Sequence, residues 1–135
     1  MSHATAHCVY HIVIGTKYRK KTLYGDKQLC VETAMKIVCE ENQLMVYESK
    51  VKPDHVHLLV KIPPYLAVSQ MIAMLKVKSA SVVMRHHPEV IRDQKCFHLW
   101  ARGYYVRTVG YDFEKIQKYI KNHGSMERTL FDNHD

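Results

Sequence analysis

Two histidines one residue apart, and a tyrosine followed four positions later by another histidine, are the residues of this chain best suited to chemistry. In the segment Asp54-His55-Val56-His57-Leu58-Leu59-Val60, strand alternation puts His55 and His57 on one side. Val56, Leu58, Val60 and Ile62 share the other, which must be the core face. Neutral imidazoles placed this way can grip one divalent ion, and they suit Mn, Zn, Fe or Ni better than bare Mg. The spacing alone also fits an ordinary half-exposed surface pair. Asp54 falls on the opposite face and reads as a turn former rather than a ligand. Late in the chain, Phe113, Ile116 and Ile120 form a helical packing stripe. Tyr119 and His123 form a neighbouring one, rotated by roughly 60° at about 100° per residue. A phenol with an ordinary pKa near 10 needs a cation or base to react as phenolate. An ion held by His55, His57 and His123 would provide one, while polarising a bound phosphate. The plain alternative is an amphipathic helix residue and a helix-end histidine that complements the macrodipole.

The elements that must carry these residues alternate. Cys8 to Ile14 is β-branched and apolar and stops at Gly15, as a central strand does. Asp26 is a plausible N-cap for a helix whose apolar positions Cys30, Ala34, Ile37 and Val38, with Val31, lead to Glu40-Glu41-Asn42. Leu44 to Val51 and His55 to Ile62 form a hairpin around Lys52-Pro53-Asp54. Val68, Met71, Ile72, Leu75, Val82 and Val83 set a second helix. After the polar His86-His87-Pro88, the run from Leu99 to Thr108 suits a last strand, and a helix from Phe113 to His123 follows, capped by Asp112 and ended by Gly124. The predicted class is α+β: a ferredoxin-like or RRM-like β-α-β-β-α-β antiparallel sheet with an extra C-terminal helix bearing the tyrosine. The tail beyond Ser125 is polar and expected to be loose, with Leu130-Phe131 as a docking point.

With 135 residues and 47% hydrophobic content, one domain spanning 1–135 is expected. The net charge of +7 favours a polyanionic partner, nucleic acid ahead of membrane, on a patterned surface that also carries 13 acidic residues. No apolar run nears the ~20 residues of a bilayer span, and the first residues lack a signal peptide's regions, so a cytoplasmic location is expected. Cys8, Cys30, Cys39 and Cys96 have no CxxC spacing and read as reduced structural thiols.

Three segments in this order carry a family likeness: Pro53 to Val60 around the histidine pair, the aromatic Leu99-Trp100-Ala101-Arg102-Gly103-Tyr104-Tyr105-Val106, and Lys118-Tyr119-Ile120-Lys121-Asn122-His123. Together they resemble the single-tyrosine HUH transposases of the TnpA type, over nearly the whole chain. The HUH pattern, histidine, bulky apolar residue, histidine, is here His55, Val56 and His57. The resemblance implies a DNA transposase that cleaves and rejoins single-stranded DNA at hairpin-bearing insertion-sequence ends. It implies a Mg or Mn ion on His55 and His57, and Tyr119 covalently joined to the 5′ end of the cut strand. The family usually has glutamine four positions after the tyrosine; this chain has His123, an alternative third ligand that would shift preference towards Mn. Family members are homodimers in which the tyrosine helix can serve either subunit, and the short Val109-Gly110-Tyr111 hinge is compatible with both.

The DNA-binding candidates are the loop Lys17, Tyr18, Arg19, Lys20 and Lys21, which can track a backbone and stack a base, and Lys76, Lys78, Arg85, Arg102 and Arg107. Rival readings are a non-catalytic single-strand nucleic-acid module, a domesticated hairpin-processing nuclease and a zinc hydrolase. The first would put aromatics where the central strand has His55 and His57. The last needs a third ligand and an acid-base pair such as HExxH, which is absent.

Overall fold

The structure, a computed structural model, describes residues 8–94, 98–110 and 113–122. Strands β1 (Val9–Gly15), β2 (Met45–Lys52), β3 (His55–Lys61) and β4 (Tyr105–Thr108) form one antiparallel sheet in the order β2-β3-β1-β4. The helices are α1 (Asp26–Glu41), α2 (Val68–His86), α3 (Glu89–Gln94) and α4 (Phe113–Asn122). The β-α-β-β-α-β order holds, with α4 as the added helix. Helix α3 was not expected. It begins directly after Pro88, whose missing N–H and fixed φ end one helix and suit the first turn of the next.

The central strands β1 and β3 sort their side chains cleanly. Ile12 lies opposite Leu58 and Ile14 opposite Val56 on one face, while Val13 lies opposite His57 and Gly15 opposite His55 on the other. The first face carries the main core: Ile12, Ile14, Val56, Leu58, Val60 and Ile62 pack beneath Val31, Met35 and Val38 of α1 and Met71, Ile72, Leu75 and Val83 of α2. Each large apolar side chain buried there contributes about 1.5–3 kcal/mol. On the second face Val9, Leu59 and Val109 meet Ile116, Tyr119 and Ile120 of α4. Helix α4 therefore covers the Val9 and Leu59 end of that face.

Helix α1 departs from the expected cap. Gly25, at a left-handed φ of 56°, is the N-cap, and Asp26 is the first helical residue, where its carboxylate still complements the macrodipole. The last strand is shorter than its composition suggests. Val13 pairs with Tyr105, but the next bridge, Thr16 with Trp100, comes two residues late, so the chain leaves the ladder at Arg102-Gly103-Tyr104. The Lys76 ammonium donates to the carbonyls of Ala101, Arg102 and Gly103 at 2.8, 2.9 and 3.1 Å. Carbonyls displaced from a ladder bond to such a donor or to water. Beside them the Trp100 Nε1–H donates to Ser79 Oγ at 2.9 Å, and Ser79 donates back to the Leu75 carbonyl. Asp112, Gly124, Cys96 and Leu130-Phe131 lie outside the described residues; Cys8, Cys30 and Cys39 are thiols rather than disulfide halves. Among the described residues no helix is long and apolar enough to cross a membrane.

Candidate active site

The alternation of β3 turns His55 and His57 to the side of the sheet that α4 covers, and both are buried. Their Nε2 atoms stand 3.1 Å apart. Two imidazole nitrogens each about 2.1 Å from one ion and roughly 90° apart would be separated by about 3 Å, so the pair fits a shared divalent ion. The far nitrogens are also engaged: His55 Nδ1 lies 2.7 Å from Asp54 Oδ1, and His57 Nδ1 lies 3.0 Å from His11 Nε2. Partners on Nδ1 fix the orientation of ligating histidines and leave Nε2 for an ion.

Asp54 is therefore more than a turn former. Its carboxylate accepts from His55 and also from Arg19 Nη2 at 3.2 Å. Burial pushes its pKa up, but the His55 hydrogen bond and the Arg19 charge outweigh this and hold the carboxyl below its ordinary value. Arg19 reaches it because Tyr18 and Arg19 both adopt left-handed backbone, φ 58° and 54°, folding the loop back over the end of β1. Such residues cost of order 1–3 kcal/mol each and concentrate at functional sites. Gly15 leaves room beneath them: a Cβ there would lie 2.9 Å from Arg19 Cδ and push that side chain aside.

His11 was not singled out from the sequence. It is fully buried, its ring stacks on His57 at 5.3 Å and 13°, and Tyr105 meets it edge-on at 5.7 Å. Burial, aided by the nearby His57 and Arg107 charges, lowers its pKa to about 3, so the ring is neutral at pH 7. The alternation of β1 could have separated His11 from Ile12 and Ile14; its neighbourhood with His57 needs the pairing of β1 with β3.

Tyr119 completes the constellation. It was expected on a stripe beside the packing stripe, yet it is 8% exposed and buried together with Ile116 and Ile120. Its ring stands edge-on to His57, centroids 5.8 Å apart. Helix α4 is anchored by Phe113 against Tyr47 at 4.9 Å. The hinge before it starts from Val109, which is buried and donates its N–H to the Val9 carbonyl. His123 lies outside the described residues. Among the described residues no group of three or more His, Cys, Asp or Glu is placed to hold an ion.

The basic candidates divide. Lys17, Tyr18, Lys20 and Lys21 follow the end of β1 nearest His55, with the Lys17 ammonium 5.2 Å from the centre of the Tyr18 ring and Tyr18 72% exposed. Arg107 lies opposite His11 in the ladder, on the site face. Arg102 is exposed in the excursion before β4. Lys76 is committed to the loop carbonyls. Lys78, 3.7 Å from Glu41, and Arg85 belong to α2, which packs on the other face of the sheet. Two cations were overlooked: Lys50 and Lys52 of β2 lie opposite His57 and His55. The two-residue turn Pro53-Asp54 sets that register and made them legible.

The chain has known relatives. The family model described as "Transposase IS200 like" matches residues 4–123. The transposase for insertion sequence element IS200 of Salmonella typhimurium is 36% identical over 90% of this chain and 80% of its own length. The ISDra2 transposase TnpA of Deinococcus radiodurans is 30% identical over 87% of this chain and 85% of its own. Among solved structures, a chain assigned as a transposase in Deinococcus radiodurans R1 superimposes with a TM-score of 0.72 at 28% identity, covering 87% of this chain and 92% of that one. A REP-associated tyrosine transposase bound to a REP hairpin shares the fold, with a TM-score of 0.62 at 12% identity over 93% and 68% of the two chains. The chain belongs to the IS200-like transposases.

Proposed function

We propose that this chain cleaves and rejoins single-stranded DNA at hairpin-bearing insertion-sequence ends through a covalent 5′-phosphotyrosine on Tyr119. The observation that carries the reading is the paired Nε2 atoms of His55 and His57, 3.1 Å apart, with the Tyr119 ring against His57. A divalent ion, Mg or Mn, held by His55 and His57 with His123 as third ligand, would supply Lewis-acid polarisation of the scissile phosphate. The Tyr119 oxygen gives up its proton and forms a bond to phosphorus, and the bond from phosphorus to the 3′ oxygen breaks. The departing strand takes up a proton as a 3′ hydroxyl, and the other strand stays on Tyr119 through its 5′ phosphate. A 3′ hydroxyl from a second end then attacks that phosphate and releases Tyr119, so rejoining needs no ATP.

Asp54 and His11 hold the two imidazoles, and the buried Tyr119 ring against His57 supports its role as nucleophile. Lys17, Arg19, Lys20, Lys21, Lys50, Lys52 and Arg107 flank the pair on two strands and one loop, and would meet phosphates of the bound strand. The hairpin bound by the REP-associated relative supports a folded single strand as substrate. A homodimer is the expected assembly, and contact between Tyr119 and His57 of one chain supports catalysis within a subunit.

The test is incubation with hairpin-bearing single-stranded DNA and Mg or Mn, followed by denaturing electrophoresis. A protein-DNA adduct that disappears in Tyr119→Phe is expected. Hairpin binding that persists in His57→Ala while cleavage stops separates this reading from a purely binding module, for which neither substitution would matter to covalent chemistry. An undiminished adduct in either variant overturns it.

A further inference from the structure

Both ring nitrogens of His57 face another imidazole: Nε2 lies 3.1 Å from His55 Nε2, and Nδ1 lies 3.0 Å from His11 Nε2. Each contact needs one proton between its two nitrogens, and a neutral imidazole carries only one. His55 keeps its proton on Nδ1, where the Asp54 carboxylate accepts it at 2.7 Å, and so turns a lone pair towards His57. The Arg19 guanidinium lies 3.3 Å from the same nitrogen, but a protonated Nδ1 has no lone pair to accept from it, and Arg19 donates to Asp54 instead. Without an ion, the proton of His57 must then sit on Nε2. Its bare Nδ1 is served by an Nε2–H of His11. Donation runs in one direction, from His11 to His57 to His55 to Asp54.

An ion held by His55 and His57 would take the lone pairs of both Nε2 atoms. His57 must then carry its proton on Nδ1, and that contact remains a hydrogen bond only if His11 Nε2 accepts. His11 in turn must hold its own proton on Nδ1. That atom is buried and has no hydrogen-bond partner among the described residues. A fixed donor or acceptor there would lock His11 in one tautomer; with none, both remain open. The three rings carry the same number of protons before and after, and only their positions change.

We propose that His11 is a positioning residue for metal capture, whose hydrogen bond runs to His57 in the ion-free protein and reverses when a divalent ion binds. The inference rests on the reading of His55 and His57 as ligands. A buried ring outside the ligand set thereby supplies whichever partner His57 requires in each state.

Nitrogen-15 NMR of the imidazoles tests it directly on the unmodified protein, with Zn as a diamagnetic probe. Protons on Nε2 of both His11 and His57 are expected without metal, and on Nδ1 of both with metal. A His57 already protonated at Nδ1 before metal is added, or a His11 that does not change, overturns the proposal. Manganese affinity, read by electron paramagnetic resonance of free Mn, gives the second measurement. His11→Phe should lose about 10- to 100-fold in affinity, the usual effect of removing the partner of a ligating histidine. His11→Gln, whose amide can donate or accept at the same place, should stay within about threefold of the parent. If His57→Ala binds Mn as the parent does, the ligand assignment fails and takes this inference with it. If His57→Ala loses Mn and His11→Phe does not, the inference about His11 alone is refuted. Should His11→Phe fail to fold, the NMR result on the parent protein still decides.

Discussion

The ring of Tyr119 meets that of His57 edge-on at an interplanar angle of 87°, so the phenol of α4 and an imidazole of β3 touch within one chain. The same ring is part of the cluster that attaches α4 to the sheet. Tyr119→Phe keeps the ring and removes only the hydroxyl. Its stability should therefore change by less than about 1 kcal/mol, while adduct formation is lost. Urea unfolding beside the cleavage assay checks this, and a variant that is inactive because it is unfolded would refute the division between packing and chemistry.

Asp54 makes a different prediction, because it acts through His55. Asp54→Asn keeps the size but weakens acceptance from the His55 Nδ1–H. Manganese affinity should fall about 10- to 100-fold, with hairpin binding in the absence of metal unchanged. Calorimetric titration reads the first and a gel shift in chelator the second. Unaltered Mn affinity would return Asp54 to the role of a turn former.

Lys76 was expected on DNA, and its three carbonyl contacts argue for the loop instead. Lys76→Met should lower stability by about 1–2 kcal/mol, a modest value because the group is partly exposed. Lys78→Ala should leave stability within about 0.5 kcal/mol, since its pair with Glu41 lies at the surface. Thermal melts of both variants suffice. Equal melting points would show that the carbonyl contacts add nothing.

His11 sets a pH dependence. Unfolded, it takes up a proton near 6.5; folded, only near 3. Between those values the unfolded chain binds the extra proton, so this contribution is complete above about pH 6.5 and is lost as pH falls towards 3. The slope expected from one such group is about 1.4 kcal/mol per pH unit. Denaturant unfolding of the metal-free protein across this range, compared with His11→Phe, should show the variant less steep by about that amount. Identical slopes would mean that His11 is protonated in the native state.

What could be read from the residues and what could not divides along physical lines. The split β-α-β-β-α-β order, the core face of β3 and the shared side of His55 and His57 follow from periods of two and 3.6, which local sequence displays. The two-residue late pairing at Trp100 does not, because an aromatic β-branched run looks the same whether or not it leaves the ladder. His11 and His57 are 46 positions apart, and only the β1 to β3 register makes them neighbours. The Asp54 side chain was assigned by strand alternation, but the residue precedes β3 and sits in the turn, where alternation does not govern direction.

The register of β1 against β3 ties the ligand pair to the core. A slip of one residue would turn His55 and His57 away from α4, but it would also carry Val56, Leu58 and Val60 out of the interior. A misaligned molecule would lose its core together with the aim of its histidine pair. The sheet thus acts as its own quality check: chains that fold at all fold with His55 and His57 turned towards the face that α4 covers.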